Sequence, residues 1–176
     1  MIERGQPLSP GEVAAMLRGA AATFAAEARA LPEPLRRWHP AAGEWCVKEV
    51  LGHIIEAERR GFAGRIRIIL AAGEPPRLER WDQTAVARER KDCERDIEVL
   101  LGELLAMRED SAALVASLRI PDLSRSGLHP TVGVLTVAEL LQEWVHHDRN
   151  HARQILANVQ AYAWPHMGNA QKFTTG

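Results

Sequence analysis

Residues 135–155 read Leu135-Thr136-Val137-Ala138-Glu139-Leu140-Leu141-Gln142-Glu143-Trp144-Val145-His146-His147-Asp148-Arg149-Asn150-His151-Ala152-Arg153-Gln154-Ile155. The stretch opens as a helix. Thr136 can accept from the backbone N–H of Glu139 while the Glu139 carboxylate reaches back, and Leu135 with Leu140 can close a hydrophobic staple. Leu140, Trp144, His147, His151 and Ile155 then recur at three and four, one inward stripe that carries two imidazoles. His147 and His151 stand one turn apart, so both can point at one metal ion. His146 lies about 100° around the axis, in line with Asn150 and Arg153 on a more polar face. The helix is expected over 136–162, with Pro165 as its stop.

Three more helices are expected upstream. Ser9, Pro10 and Glu12 form a helix start, followed by Val13, Met16, Leu17, Ala20 and Phe24 on one stripe, and Pro32 and Pro34 end that helix near residue 31. A second helix is expected over 46–72, ended by Gly73-Glu74-Pro75-Pro76, with Gly61 and Gly64 weakening its interior slightly. A third is expected over 83–118. Its first half holds Arg88 to Asp96, eight charges in nine residues that sum to zero, read as a solvated helix face. Residues 119–135 form a long connection that crosses the bundle or covers something. No stretch reads as a strand. The chain is thus one helical domain over 1–176, all-α, a four-helix bundle with helices at roughly 9–31, 46–72, 83–118 and 136–162 and a C-terminal segment 163–176.

The 176 residues are 46% hydrophobic and 26% charged, with 22 basic against 23 acidic side chains. This balance lacks the basic footprint of a nucleic-acid binder or of a polybasic membrane-surface protein. No apolar run approaches the roughly 18 residues of a membrane span, and residues 1–6 lack the apolar core of a secretory signal. Two cysteines, Cys46 and Cys93, make neither a disulfide framework nor a Cys-x-x-Cys motif, so a reducing cytoplasm is the expected location.

Two histidines hold a transition metal weakly; a third would complete a facial set with positions open to water or substrate. His53 is the best candidate, because Val50-Leu51-Gly52-His53-Ile54-Ile55 is otherwise apolar. The plainer alternative is a hydrogen-bonded core histidine. Gly52 beside it would let a neighbouring helix or a ligand approach closely. Glu56, three residues on, is a candidate to orient ligands or act as a base, against a solvated role beside Arg59 and Arg60. Asp148 and Gln154 are candidates to orient the imidazoles from behind. His39, His129, His146 and His166 read as non-ligands, although the segments of His129 and His166 could fold over the site. Cys46, at a helix start, would have a lowered thiol pKa, against the commoner buried, inert cysteine.

Rival metal chemistries fit less well. A di-iron bundle needs two Glu-x-x-His motifs, and only Glu143-Trp144-Val145-His146 has that spacing, with its histidine off the inward face. His147-Asp148-Arg149-Asn150-His151 imitates a metallopeptidase His-Glu-x-x-His with the carboxylate one methylene short. Histidines at i and i+4 cannot sit on opposite faces of one haem.

Trp45-Cys46-Val47-Lys48-Glu49-Val50-Leu51-Gly52-His53-Ile54 resembles the start of helix two in the DinB-like superfamily, and residues 135–155 resemble its fourth helix. The resemblance spans roughly residues 9–162. It implies an up-down-down-up bundle with a long crossover between helices two and three, and a divalent metal (Zn, Ni, Fe or Mn) held by His53, His147 and His151. Relatives include bacillithiol S-transferases and a mycothiol-dependent maleylpyruvate isomerase. The resemblance therefore implies a metal-dependent thiol S-transferase or related hydrolase acting on a small molecule, with a low-molecular-weight thiol as cosubstrate and a homodimeric assembly. The alternative is a non-catalytic bundle that keeps a metal or ligand without turnover. Cys46 departs from the family, where serine is usual at the helix cap.

Overall fold

The structure is a computed structural model that describes residues 5–174. Four long helical rods form the bundle. The first is α1 (Pro10–Ala30), capped by Ser9 in a full capping box with Glu12. After the short α2 (Glu33–Arg36), the second rod runs through α3 (Val47–Glu56), a π-helical segment (Ala57–Phe62) and α4 (Ala63–Ala71). The crossover carries α5 (Gln83–Arg90) and a 3-10 turn (Asp92–Glu94), and α6 (Ile97–Ala116) is the third rod. The short α7 (Ile120–Leu123) and a hairpin of β1 (Ser126–His129) and β2 (Gly133–Thr136) lead into the fourth rod, α8 (Val137–Ala163). Thr136 and Glu139 form the capping box at its start.

Cross-helix pairs fix the directions. Arg18 meets Glu109 and Arg29 meets Glu98, so the first and third rods are antiparallel. Phe62 stacks on Trp144 and Asn158 donates to the Trp45 carbonyl, so the second and fourth are antiparallel. Lys48 meets the Arg95 carbonyl and Arg108 meets Glu58, so the second and third run parallel. The order is up-down-down-up. Parallel neighbours cannot be joined by a tight turn, so the chain from Ala72 to Asp96 returns along the bundle.

Two apolar clusters fill the interior, one around Phe24, Leu51, Ile54, Leu101 and Ile155 and the other around Leu17, Ile66, Val115, Leu140 and Trp144. Between them lies a buried polar knot. Arg108, 1% exposed, donates to Glu58, to Asp148 and to the Leu17 carbonyl. Burial raises the Glu58 pKa and outweighs the pull of Arg108, whereas for Asp148 burial also pushes upward but the Arg108 charge and the hydrogen bonds from His147 and Arg108 together outweigh it and lower the pKa.

Three features depart from the sequence reading. The expected helix over 83–118 is broken at Lys91, which adopts the left-handed conformation (φ 51°, ψ 41°). The stretch from Arg88 to Asp96 is not simply a solvated face: Asp92 is 1% exposed, and Arg90, Arg95, Glu56 and Glu103 knit it to α3 and α6. A small antiparallel hairpin stands where no strand was expected, with Gly127 opposite Leu135. Its β1 binds the start of the crossover, Leu78 N–H donating to the Leu128 carbonyl and Leu128 N–H to that of Pro76.

Two glycines permit close approaches. A Cβ on Gly52 would lie 1.7 Å from Asp92 Oδ2, so what approaches is the crossover turn and not the helix or ligand expected from the sequence. A Cβ on Gly64 would lie 2.0 Å from the Arg59 carbonyl, which the π-helical segment turns toward that position.

Candidate metal centre

The site sits where the second and fourth rods face each other. α3 brings His53, and α8 brings His147 and His151 from successive turns. One ligand atom from each of the three lies within 4.8 Å of the others. The Nε2 atoms of His53 and His147 are 3.1 Å apart. Zn–N bonds of about 2.0–2.1 Å would set tetrahedral nitrogens roughly 3.3 Å apart, so this spacing suits a shared ion. His53 and His147 each keep a buried Nδ1 without a hydrogen-bond partner.

Electrostatics favour neutral rings. Burial first, and then the charges of His151 and His147, push the His53 imidazole down to about 3. Burial and His147 likewise lower His151. Neutral imidazoles are what a metal requires, since a protonated nitrogen has no lone pair to give.

The three supporting candidates separate. Gln154 Oε1 accepts from His151 Nδ1 at 2.8 Å, which leaves the His151 Nε2 lone pair free. Asp148 Oδ1 lies 3.8 Å from His147 Nδ1 and is held from behind by Arg108. Glu56 is not solvated: it is 2% exposed, bound by Arg59, Arg60 and Arg90, and absent from the cavity lining.

The histidines open onto a cavity of about 600 Å³. Trp45 lies 4.8 Å from the His53 ring, and Trp81 stacks on it at 5.9 Å. Phe62 meets His147 edge-on at 5.0 Å. The π-helical segment contributes Ala57, Gly61 and Phe62 to the wall, and the rim carries Arg65, Arg80, Asp82 and Glu143. Arg65 Nε is buried with no hydrogen-bond partner. The segments of His129 and His166, which could have folded over the site, do not line the cavity; the crossover does.

Sequence reasoning missed Trp81, Arg65 and the π-helical wall. A lone tryptophan in the Pro-rich crossover was the available signal for the first. The Cys46 thiol is fully buried, and burial pushes its pKa up, not down.

A family model for the DinB superfamily matches residues 16–155. The chain belongs to the DinB superfamily. Among curated proteins it is similar to candidate metal-dependent hydrolases from Bacillus cereus strains B4264 and AH820, at 26% and 25% identity over 128 residues, covering 69% of this chain and 69% of each relative. Among solved structures it is similar to YfiT from Bacillus subtilis, described as a metal-dependent hydrolase by inference and as having an unusual four-helix bundle topology. That match has a TM-score of 0.82 at 19% identity, covering 92% of this chain and 94% of YfiT. The fold of this DinB superfamily member is thus that of YfiT. Among the described residues no helix is long and apolar enough to cross a membrane.

Proposed function

We propose that this protein is a divalent-metal-dependent hydrolase of small molecules, with His53, His147 and His151 as the metal ligands. The carrying observation is that three imidazoles converge at one wall of an open cavity of about 600 Å³. That volume suits a small-molecule ligand. The names of the Bacillus relatives support hydrolysis over other metal chemistry. His129, His166 and Glu56 do not join the cluster as a fourth ligand that would close the site. That favours a site with an open position over a closed structural one.

A divalent ion bound there supplies Lewis acidity, polarising a substrate oxygen and lowering the pKa of a coordinated water or thiol; Zn, Ni, Fe and Mn all accept such a ligand set. Gln154 fixes the tautomer of His151. Trp45, Trp81 and Phe62 exclude bulk water from the histidines. Of the two rim carboxylates, Asp82 is occupied in capping α5 through Thr84 and Ala85. Glu143, one turn before His147, makes no side-chain hydrogen bond among the described residues and is assigned to take up the proton at its carboxylate. The unpartnered Arg65 Nε is assigned to a carbonyl, carboxylate or phosphate of the substrate.

Thiol transfer remains the second reading within this site, carried by the family resemblance. The test is tag-free protein assayed on ester and amide panels with and without added low-molecular-weight thiol, beside elemental analysis. Turnover in water alone, lost together with the metal in His147→Ala, is expected. Full metal content in His147→Ala would remove the ligand assignment, and turnover only with thiol would replace hydrolysis by transfer.

A further inference from the structure

A second cluster forms from three separate segments. His39 lies in the linker before α3, Cys46 caps α3, and Cys93 sits in the 3-10 turn of the crossover. One ring nitrogen of His39 and the two sulfurs all lie within 4.8 Å of one another. Cys46 is fully buried, Cys93 is half-buried, and His39 is exposed, which gives an entry path. We propose that His39, Cys46 and Cys93 hold a second metal ion, a thiophilic divalent cation of the Zn²⁺ type, separate from the three-histidine cluster.

The donor chemistry fits. Two thiolates and an imidazole are a recognised zinc set, with water able to complete the tetrahedron. Bond lengths of about 2.3 Å to sulfur and about 2.0–2.1 Å to nitrogen would place neighbouring donors roughly 3.3–3.8 Å apart, so modest inward movement closes the site. His39 also carries the support typical of a ligand. Its Nε2 lies 2.8 Å from Glu49 Oε2, which leaves Nδ1 as the ring nitrogen not engaged by that carboxylate. The same carboxylate accepts from Cys46 N–H at 2.9 Å and so ties the imidazole to the helix cap. On binding, the two thiols release two protons to solvent and two metal–sulfur bonds form; no oxidant or reductant is involved. The ion would fasten the linker and the crossover to the start of α3, beside Trp45 and the Asp92 turn that rests on Gly52.

Reduced, tag-free, full-length protein is stripped with EDTA and titrated with Co²⁺. Two equivalents are expected, one of them accompanied by thiolate-to-cobalt charge-transfer absorption in the near ultraviolet. His53→Ala/His147→Ala should lose the other equivalent and keep this absorption. Cys46→Ser should lose the absorption and keep the three-histidine equivalent, and serine is a better helix cap than cysteine, so the fold is retained. Zn²⁺ should slow alkylation of Cys93 by iodoacetamide at least about tenfold in the wild type and not in His39→Ala. Absence of charge-transfer absorption at saturating Co²⁺ would overturn the proposal. So would a Cys46–Cys93 disulfide, read as a mass lower by two hydrogens, that persists in the Zn²⁺-loaded protein under reducing conditions. Failure of the three-histidine assignment would instead appear as loss of the first equivalent alone.

Discussion

Gly52→Ala places a methyl group where the crossover already is. The new Cβ would stand 1.7 Å from Asp92 Oδ2 and 2.5 Å from its Cγ, and no rotation of alanine relieves that. Asp92 cannot yield freely, because Arg90 Nε holds Oδ2 at 2.7 Å while Arg90 and Arg95 hold Oδ1 at 3.0 and 2.9 Å. Breaking a buried ion pair costs about 3–5 kcal/mol when one partner is left stranded. Here the carboxylate is 2% exposed but its arginines are 13% and 30% exposed, so roughly 2–4 kcal/mol is appropriate. Replacing a helical glycine by alanine returns about 0.5–1 kcal/mol. The net expected loss is therefore about 1–3.5 kcal/mol, read as a fall in the urea midpoint with EDTA present, so that metal binding does not contribute. The decisive control is the same substitution in an Asp92→Ala background. With the carboxylate gone only Arg90 Nε lies close, at 3.2 Å, and having lost its Asp92 partner it can give way, so Gly52→Ala should be near neutral or stabilise by up to about 1 kcal/mol. Equal destabilisation in both backgrounds would refute the steric account, and a neutral Gly52→Ala in the wild type would refute the close approach itself.

Gly64→Ala should cost about 2 kcal/mol or more, because its Cβ would meet the Arg59 backbone carbonyl at 2.0 Å, and chelated thermal unfolding reads it. Gln154→Ala should weaken metal affinity about 10- to 100-fold by freeing the His151 ring, with far-ultraviolet circular dichroism unchanged; competition with a chromophoric chelator measures this. Arg108→Met should destabilise by about 3–5 kcal/mol, since it leaves Asp148 buried without its cation, and a denaturant midpoint that does not move would contradict it. Glu103 gives the pH dependence. Burial raises its carboxyl, but hydrogen bonds from Arg90, Arg59 and Arg95 outweigh this and bring it to about 2 from 4.5. A lowered carboxylate binds fewer protons folded than unfolded, so its stability contribution is complete above about pH 4.5 and is lost as pH falls toward 2. The ceiling is about 3 kcal/mol, and Glu103→Gln should be less stable at pH 7 yet converge with the wild type near pH 2.

What was legible in the sequence was whatever local chemistry specifies. Ser9 with Glu12 and Thr136 with Glu139 mark helix starts by their own hydrogen bonds, and both capping boxes are present. His53 stood out because an imidazole is costly in an apolar run unless it has a task. The break at Lys91 had no such mark: no glycine or proline lies there, and lysine seldom adopts a left-handed backbone. Its cause is tertiary, the Asp92 carboxylate seated on Gly52. The π-helical segment was hidden for the same reason. Ala57-Glu58-Arg59-Arg60-Gly61-Phe62 has no periodicity of its own, and only the clash at Gly64 shows what the glycine admits. Trp81 and Arg65 reach the cavity through the path of the crossover and through that extra residue in the helix, neither of which spacing along the chain encodes.

The topology explains why this crossover carries so much. With the second and third rods parallel, the link between them must return along the bundle, and its strongest packing is on α3. That path passes Trp81 over His53, Arg90 onto Glu56 and Asp92 onto Gly52 before Lys48 meets the Arg95 carbonyl. One segment therefore covers the metal centre and locks the helix that carries His53. The consequence is that stability and metal affinity should be coupled through the crossover. Asp92→Ala, which touches none of the three histidines, should loosen the turn that positions Trp81 and so weaken metal binding as well as the fold. Arg18→Ala breaks an exposed ion pair with Glu109 elsewhere in the bundle and should change metal affinity not at all. If both substitutions leave the affinity untouched, the crossover is only a strap, and the site is built by the second and fourth rods alone.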